Sequence, residues 1–255
     1  MTIDEVGMEL KGAVALVTGA SSGIGEAISI ALVERGVFVT ISARREERLQ
    51  KVAAKIRSMG GRVLVAQGDI SSESELIEVF DRSQAHWGRL DILINNAALG
   101  ISSSILDGNL AEWRSMLETN VLAVAVATRE ALKRFCPKNG GQIVNIGSTS
   151  GHRIPPNSGF YAVTKFAVRA LSEITRQELR RFGSPTKIFM ISPGRVETNL
   201  FSNSPEPKKS SYRDPWELQT LSSNDVANLI IKMLETPANV EIQDIIVRSR
   251  GGIND

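Results

Sequence analysis

The sequence predicts an α/β fold in which a doubly wound parallel sheet of about seven strands carries helices on both faces. Three observations lead there. Short β-branched runs alternate with longer stretches whose apolar residues recur at helical spacing, as successive βαβ crossovers require. The chain has 255 residues, 42% of them hydrophobic, enough to bury a sizeable core. No internal repeat or low-complexity tract interrupts the alternation. Gly12–Thr18 (GAVALVT) reads as a buried strand, and after a turn of glycines and serines a helix covers Ile24–Glu34. Val37–Ser42 is the second strand, and Arg44–Met59 a charged surface helix ended by Gly60 and Gly61. Val63–Gln67, Glu73–Trp87 and Leu90–Asn95 continue as strand, helix, strand. One long helix is predicted from about Leu110 to Phe135, stopped near Pro137. A strand at Gln142–Gly147, a helix at about Ser158–Phe182 and a strand at Lys187–Ser192 follow. A helix near Asp225–Leu234 and a strand near Ile242–Arg248 complete the sheet. The irregular stretch at about 199–215, rich in proline, serine and charge, is predicted to be a mobile substrate loop. Too few residues follow it for a second core, so residues 1–255 are expected to form one domain.

Composition removes several kinds of function. Thirty basic against 28 acidic residues, a net charge of +2, lacks the basic excess of a nucleic-acid binder. A single cysteine, Cys136, excludes a disulfide framework and a cysteine-based zinc site. Two histidines, His86 and His152, leave metal chemistry without its usual ligands, so no metal is expected. No apolar run is long enough to span a bilayer, and the start MTIDEVGMELKG does not resemble a signal peptide. A cytoplasmic protein with no membrane or nucleic-acid partner is the expectation. The segment Val121–Ala127 is apolar all round, so its helix should be buried on more than one side, with a subunit interface as one candidate cover.

The first strand-to-helix junction holds Thr18-Gly-Ala-Ser-Ser-Gly-Ile-Gly25, a GxxxGxG spacing. Glycines allow a tight turn and a close backbone approach, while a helix N-terminus offers free N–H groups to a phosphate. In that position Gly19, Ser21, Ser22, Gly23, Ile24 and Gly25 suit a dinucleotide, and the sheet becomes a Rossmann-type one. The same letters contain Gly19-Ala-Ser-Ser-Gly23, a GxSxG nucleophile elbow with Ser21 as nucleophile. That alternative lacks strands ahead of it and a well-placed histidine. At the end of the second strand the acid of an NAD site is missing and Arg44 and Arg45 stand there. Guanidinium groups can grip a 2′-phosphate, so NADP (NADPH) is the expected cofactor.

Tyr161-Ala-Val-Thr-Lys165 lies near the start of a predicted helix, where residues i and i+4 share a face. A unit charge about 5 Å from a phenol is worth roughly 3 kcal/mol in a shielded site, enough to lower its pKa toward neutrality. Such a pair suits proton transfer. Asn120, mid-helix among apolar neighbours, is costly to bury unless it bonds something. Thr18–Gly25, Asn95-Asn-Ala-Ala98, Asn120, Ser148 thirteen residues before Tyr161, Tyr161 with Lys165, and Pro193-Gly-Arg-Val-Glu-Thr198 occur in order. Together they resemble the short-chain dehydrogenase/reductase family over essentially the whole chain, most of all its small NADP-preferring carbonyl reductases. The tail from Glu235 is similar to a farnesol-dehydrogenase and keto-steroid-reductase-like group.

The resemblance implies Tyr161 as general acid/base, with Lys165 lowering its pKa and holding the nicotinamide ribose. It implies Ser148 on the substrate oxygen and Asn120 positioning a water that links Lys165 to solvent. Asp69 and Ile70 would lie at the adenine and Asn96 and Ala97 at the adenosine ribose. Pro193 and Gly194 would abut the nicotinamide, with Val196 at its carboxamide and Thr198 at the pyrophosphate. The family's usual NNAG is NNAA here, through Ala98. The implied activity is hydride transfer between NADP(H) and a carbonyl or secondary alcohol, by a homodimer or homotetramer. A non-catalytic NADP-binding sensor is the alternative; an epimerase would need a larger substrate domain than this tail supplies. Phe201, Tyr212 and Trp216, beside the predicted loop, hint at an apolar or ring-containing carbonyl substrate. His152 is expected in an exposed loop.

Overall fold

A computed structural model describes residues 9–136, 138–156, 158–198, 200–201 and 220–250. Among them the chain alternates β1 (Val14–Thr18), α1 (Gly23–Glu34), β2 (Phe38–Ser42), α2 (Glu46–Ser58), β3 (Val63–Val65), α3 (Glu73–Trp87) and β4 (Ile92–Asn95). It continues through α4 (Leu110–Leu117), α5 (Ala123–Arg134), β5 (Gln142–Ile146), α6 (Gly159–Arg181), β6 (Lys187–Pro193), α7 (Ser223–Leu234) and β7 (Ile245–Val247). The seven strands form one parallel sheet in the order β3-β2-β1-β4-β5-β6-β7. The predicted doubly wound, Rossmann-type α/β fold is therefore the observed one.

The sheet is apolar on both faces because both are covered. Ala15 and Val17 of β1 join Val39 and Ile41 of β2 in a core under α1, α2 and α7. Their neighbours Val14 and Leu16 point the other way, into a core with α3 and α5. The strand order reverses between β1 and β4: the chain runs outward through β2 and β3, then crosses to the other side of β1. Two loops part at the carboxyl ends of those strands, and ligands of such sheets bind in the crevice left there.

Sequence and structure differ most in the helix expected from Leu110 to Phe135. It is interrupted by a π-helical turn over Glu118–Leu122, where the backbone N–H of Ala123 reaches the carbonyl of Glu118. An extra residue per turn breaks the face periodicity, and such turns gather at functional sites. Asn120 sits inside it, 1% exposed. The mobile loop expected at 199–215 lies outside the described residues except for Leu200 and Phe201. No helix among the described residues is long and apolar enough to cross a membrane.

Candidate active site

The turn after β1 is built from the absence of side chains. Gly19 has φ +66°, and a Cβ there would stand 2.7 Å from the Ala97 Cα. A Cβ on Gly25 would lie 2.5 Å from both Asn96 Nδ2 and the Gly19 carbonyl oxygen. Asn96 is what crowds them. Its Nδ2 donates to the carbonyls of Thr18 (2.9 Å) and Gly19 (3.1 Å), while Thr18 Oγ1 accepts from the backbone N–H groups of Asn96 and Ala97. The Asn96 amide NH2 is thus spent bracing the turn. Ser22 caps α1 in extended backbone with no side-chain capping bond, so the first N–H groups of α1 lack the usual hydroxyl partner. Ser21 is half-buried beside it, and Ile24 packs against the core. A cavity of about 430 Å³ opens at this end, lined by Ser22, Gly23, Glu197 and Thr198. Thr198 faces the turn: a Cβ on Gly23 would be 3.1 Å from its Cγ2. Val196 bridges to Leu221, and the Gly194 N–H donates to the Val247 carbonyl (2.7 Å), fixing the segment after Pro193.

Beyond β2, Arg44, Arg45 and Arg48 are all exposed, and none of them has a carboxylate partner among the described residues. Desolvation, then the charges of Arg48 and Arg44, hold the Arg45 guanidinium below its ordinary range. Three like charges left unpaired at the end of β2 suit an anion. Asp69 accepts from the N–H and hydroxyl of Ser71, while the cap of α3 is Ser72. That leaves Asp69 off the helix end, with Ile70 buried behind it.

The other side of the crevice is made of buried side chains. Tyr161, in the first turn of α6, is 4% exposed, and the Ser148 side chain acts on its hydroxyl, drawing the phenol's pKa down. Ser148 ends the segment after β5, where its Oγ also accepts from the Ser150 N–H at 3.1 Å. Lys165 follows one turn after Tyr161; its Nζ is 5.6 Å from the phenol ring centroid and donates to the Ile146 carbonyl at 2.9 Å. The spacing of Tyr161 and Lys165 brings them together as expected, but the direction of the phenol's shift is the reverse. Burial pushes the Tyr161 pKa up, against the opposing hydrogen bond from Ser148. Burial also lowers Lys165 to about 8. Desolvation outweighs the pull of the Ser148 hydroxyl, so the phenol holds its proton at neutral pH.

Asn120 satisfies the condition set by its burial. Its Oδ1 accepts from the Leu99 N–H (2.7 Å), and its Nδ2 donates to the Leu99 carbonyl (2.9 Å) and Thr164 Oγ1 (3.1 Å). Both amide hydrogens are spent, so the side chain braces the loop after β4 against α6 and has no donor left for a relay water.

The partners of several residues, and Asn145 altogether, escape sequence reasoning. Asn95 and Asn145, paired in register on β4 and β5, bond each other at 2.8 Å, and Asn145 bonds Ser172 on α6. For Asn145 a polar residue in an apolar strand is the one sequence signal, whereas Asn95 also opens the Asn95-Asn-Ala-Ala98 motif. Phe201 sets its ring edge-on against Tyr161, centroids 5.1 Å apart, and a Cβ on Gly100 would touch Phe201 at 2.9 Å. His152 is not in an exposed loop: its Nε2 is 2.9 Å from Ser192 Oγ. Ser21 has no histidine partner among the described residues, which leaves the nucleophile-elbow alternative without its base. No group of three metal-ligating side chains occurs among the described residues.

Comparison with known proteins agrees with this geometry. The family described as short chain dehydrogenase matches residues 13–209. A Gallus gallus protein named "Dehydrogenase/reductase SDR family member 11" is 40% identical over 247 residues, 93% of this chain and 96% of that one. The crystal structure of a short chain dehydrogenase from Burkholderia cenocepacia, in complex with NADP, is 30% identical with a TM-score of 0.82, covering 97% of this chain and all of its own. A short chain dehydrogenase/reductase from Burkholderia phymatum, in complex with NAD, is 24% identical with a TM-score of 0.83 and covers 94% and 90%.

Proposed function

Since the chain belongs to the short-chain dehydrogenase family of oxidoreductases, we propose that it moves hydride between NADP(H) and a carbonyl or secondary alcohol, with Tyr161 as proton donor and acceptor. The observation that carries this is a Tyr161 buried with Lys165, the ammonium 5.6 Å from the phenol ring and Ser148 acting on the hydroxyl. A phenol kept protonated by burial is an acid in place for a carbonyl oxygen. Ser148 donates to the same oxygen and stabilises charge as it develops there. As the proton leaves Tyr161, the Lys165 ammonium opposes the growing negative charge on the phenolate. In the reverse direction the phenolate takes the alcohol proton.

The residues present fit a nicotinamide dinucleotide: Gly19 and Gly25 allow a tight turn in which a Cβ would collide with Ala97, Asn96 or the Gly19 carbonyl, and the α1 N-terminus is free of a side-chain cap. When bound, that cofactor supplies or accepts the hydride. Gly19, Ser21, Ser22, Gly23, Ile24 and Gly25 would hold its pyrophosphate with Thr198. Asp69 and Ile70 would lie at the adenine, the Asn96–Ala97 backbone at the ribose, and Pro193, Gly194 and Val196 at the nicotinamide. Arg44 and Arg45, without a carboxylate partner among the described residues and with no acid at the end of β2, favour a 2′-phosphate over a bare ribose hydroxyl. Phe201 against Tyr161 would give the substrate an aromatic wall, which suits an apolar or ring-containing carbonyl compound.

We further propose one domain, a cytoplasmic location, and a homodimer or homotetramer built on α5 and α6. α6 leaves Val163 and Ile174, and the π turn before α5 leaves Leu122, about half exposed, apolar surface that one copy of the chain does not cover. A monomer by light scattering would exclude that assembly. The reaction is tested by following NADPH consumption across a panel of carbonyl compounds, wild type against Tyr161→Phe. Turnover of apolar carbonyls by the wild type and its loss in the variant, with NADPH affinity kept, is the expected result. Equal turnover by both would refute the assignment.

A further inference from the structure

His152 follows the single turn Thr149–Gly151 that carries Ser148, yet the hydride-transfer reading gives it no role. Its ring is part-buried, with Nε2 2.9 Å from Ser192 Oγ and 3.4 Å from Asp244 Oδ2. Ser192 Oγ donates to Asp244 Oδ1 at 3.3 Å, and Arg169 Nε stands 3.9 Å from Asp244 Oδ2. With the serine proton directed to the carboxylate, the imidazole must be the donor to Ser192, which selects the Nε2–H tautomer. The three residues come from three places: the turn after β5, the end of β6, and the residue before β7.

The contacts around this cluster bear on Ser148. Gly147, directly before Ser148, has no room for a Cβ, which would lie 2.7 Å from Ser192 Oγ. Gly151 is equally tight, with a Cβ placed 2.8 Å from the Lys165 carbonyl oxygen. The turn is therefore held at its start against β6 and at its end against α6, and His152 ties its exit to Ser192. Ser192 is fully buried and directly precedes Pro193 and Gly194. One imidazole thus couples the turn bearing the oxygen-binding hydroxyl to the strand end assigned to the nicotinamide.

The geometry points to His152 as a positioning residue: by donating to the buried Ser192, whose hydroxyl bonds Asp244, it fixes the turn that aims Ser148 at the substrate oxygen. Its effect on rate passes through Ser148, where a small misplacement of a reacting group costs tenfold or more. The inference rests on the hydride-transfer reading for its catalytic consequence, but its structural half can be measured without turnover.

The test compares the wild type, His152→Ala and His152→Gln, the last keeping an N–H donor at similar reach. Two readouts are taken: steady-state kinetics with NADPH, and hydrogen exchange of the Ser150 and Gly151 amides, which bond Ser148 Oγ (3.1 Å) and Ser148 O (2.9 Å). In His152→Ala those two amides should exchange roughly tenfold faster while amides of α1 and α3 keep their protection. The value of kcat should fall about tenfold with KM for NADPH unchanged, and His152→Gln should recover most of both. Unchanged exchange at Ser150 and Gly151, a glutamine variant as impaired as alanine, or protection lost throughout the sheet would each overturn the proposal. So would an unchanged kcat in a wild type that turns over. A wild type with no turnover on any carbonyl would sink the hydride-transfer reading by itself, and the exchange of the two amides would still decide whether His152 holds the turn.

Discussion

The turn after β1 and the corner between β5 and α6 face one crevice, yet the first is made of backbone and the second of buried side chains. At the turn, specificity lies in what is missing: Gly19 and Gly25 let peptide groups approach where a Cβ would meet Ala97 or Asn96. At the corner, Tyr161 and Lys165 are nearly inaccessible, and their protonation follows from removal of water. A backbone cradle in contact with solvent can gather an anion through many weak dipoles. A desolvated corner can hold a proton that bulk water would share. The two halves should therefore fail in different ways, and substitutions can separate them.

Tyr161→Phe should have the largest effect. It removes the acid without changing shape, and general acid catalysis is worth 10²–10⁴-fold, so kcat should fall by about a thousandfold, near 4 kcal/mol of barrier. NADPH affinity, read by cofactor fluorescence, should stay within about twofold. A large loss of cofactor binding would mean that the two halves are not separable.

Gly19→Ala tests the opposite half. The added methyl would meet the Ala97 Cα at 2.7 Å, backbone that cannot rotate away, at a φ of +66° that disfavours a side chain. A cost of about 1–3 kcal/mol should appear as a lower melting temperature and a tenfold or greater loss of NADPH affinity. At saturating NADPH, kcat should remain within a few-fold of wild type. If kcat falls as far as in Tyr161→Phe, the turn is shaping the chemistry as well as the binding.

What the sequence discloses follows the same division. Glycine spacing reveals the turn because its requirement is local, and the i, i+4 relation of Tyr161 and Lys165 is a property of one helix. The sign of the phenol's shift is not local. It depends on how completely α6, Ser148 and the surrounding packing exclude water, which no spacing encodes. His152 is misread for the same reason, since Ser192 and Asp244 lie far along the chain. Asn120 is legible as a buried amide needing partners, but not the partners themselves, because the π turn that presents it to Leu99 and Thr164 leaves no mark in the pattern.

Lys165 offers a pH test of the desolvated corner. Its pKa in the folded chain is about 8, against 10.5 when solvated. Between those values the unfolded chain binds more protons than the folded one, so this residue makes stability rise with pH over that window. The full excursion is on the order of 3 kcal/mol. Urea unfolding at about pH 7.5 and pH 9.5 covers much of it while staying below the ordinary range of tyrosine ionisation. Lys165→Met, which keeps the chain length and removes the charge, should abolish the increment. An identical pH slope in both proteins would mean that the ammonium is solvated and that the corner is wetter than its geometry.

The smallest effect belongs to the most exposed part of the backbone half. Arg44 and Arg45 stand in water beside Arg48, so each contributes through a screened interaction even where a phosphate would sit between them. Arg44→Ala and Arg45→Ala should each raise the Kd for NADPH by about tenfold at low salt, near 1.4 kcal/mol, and leave that for NADH within about twofold. Added salt should shrink the difference, because an exposed guanidinium competes with counterions and the buried ammonium of Lys165 does not. The like charges at the end of β2 also repel one another, which together with the larger effect of desolvation holds Arg45 below its usual range. Removing one should ease the other two, so the double variant should lose less than the sum of the single losses. Equal weakening of NADPH and NADH would remove the 2′-phosphate from the end of β2 and with it the ground for NADP over NAD.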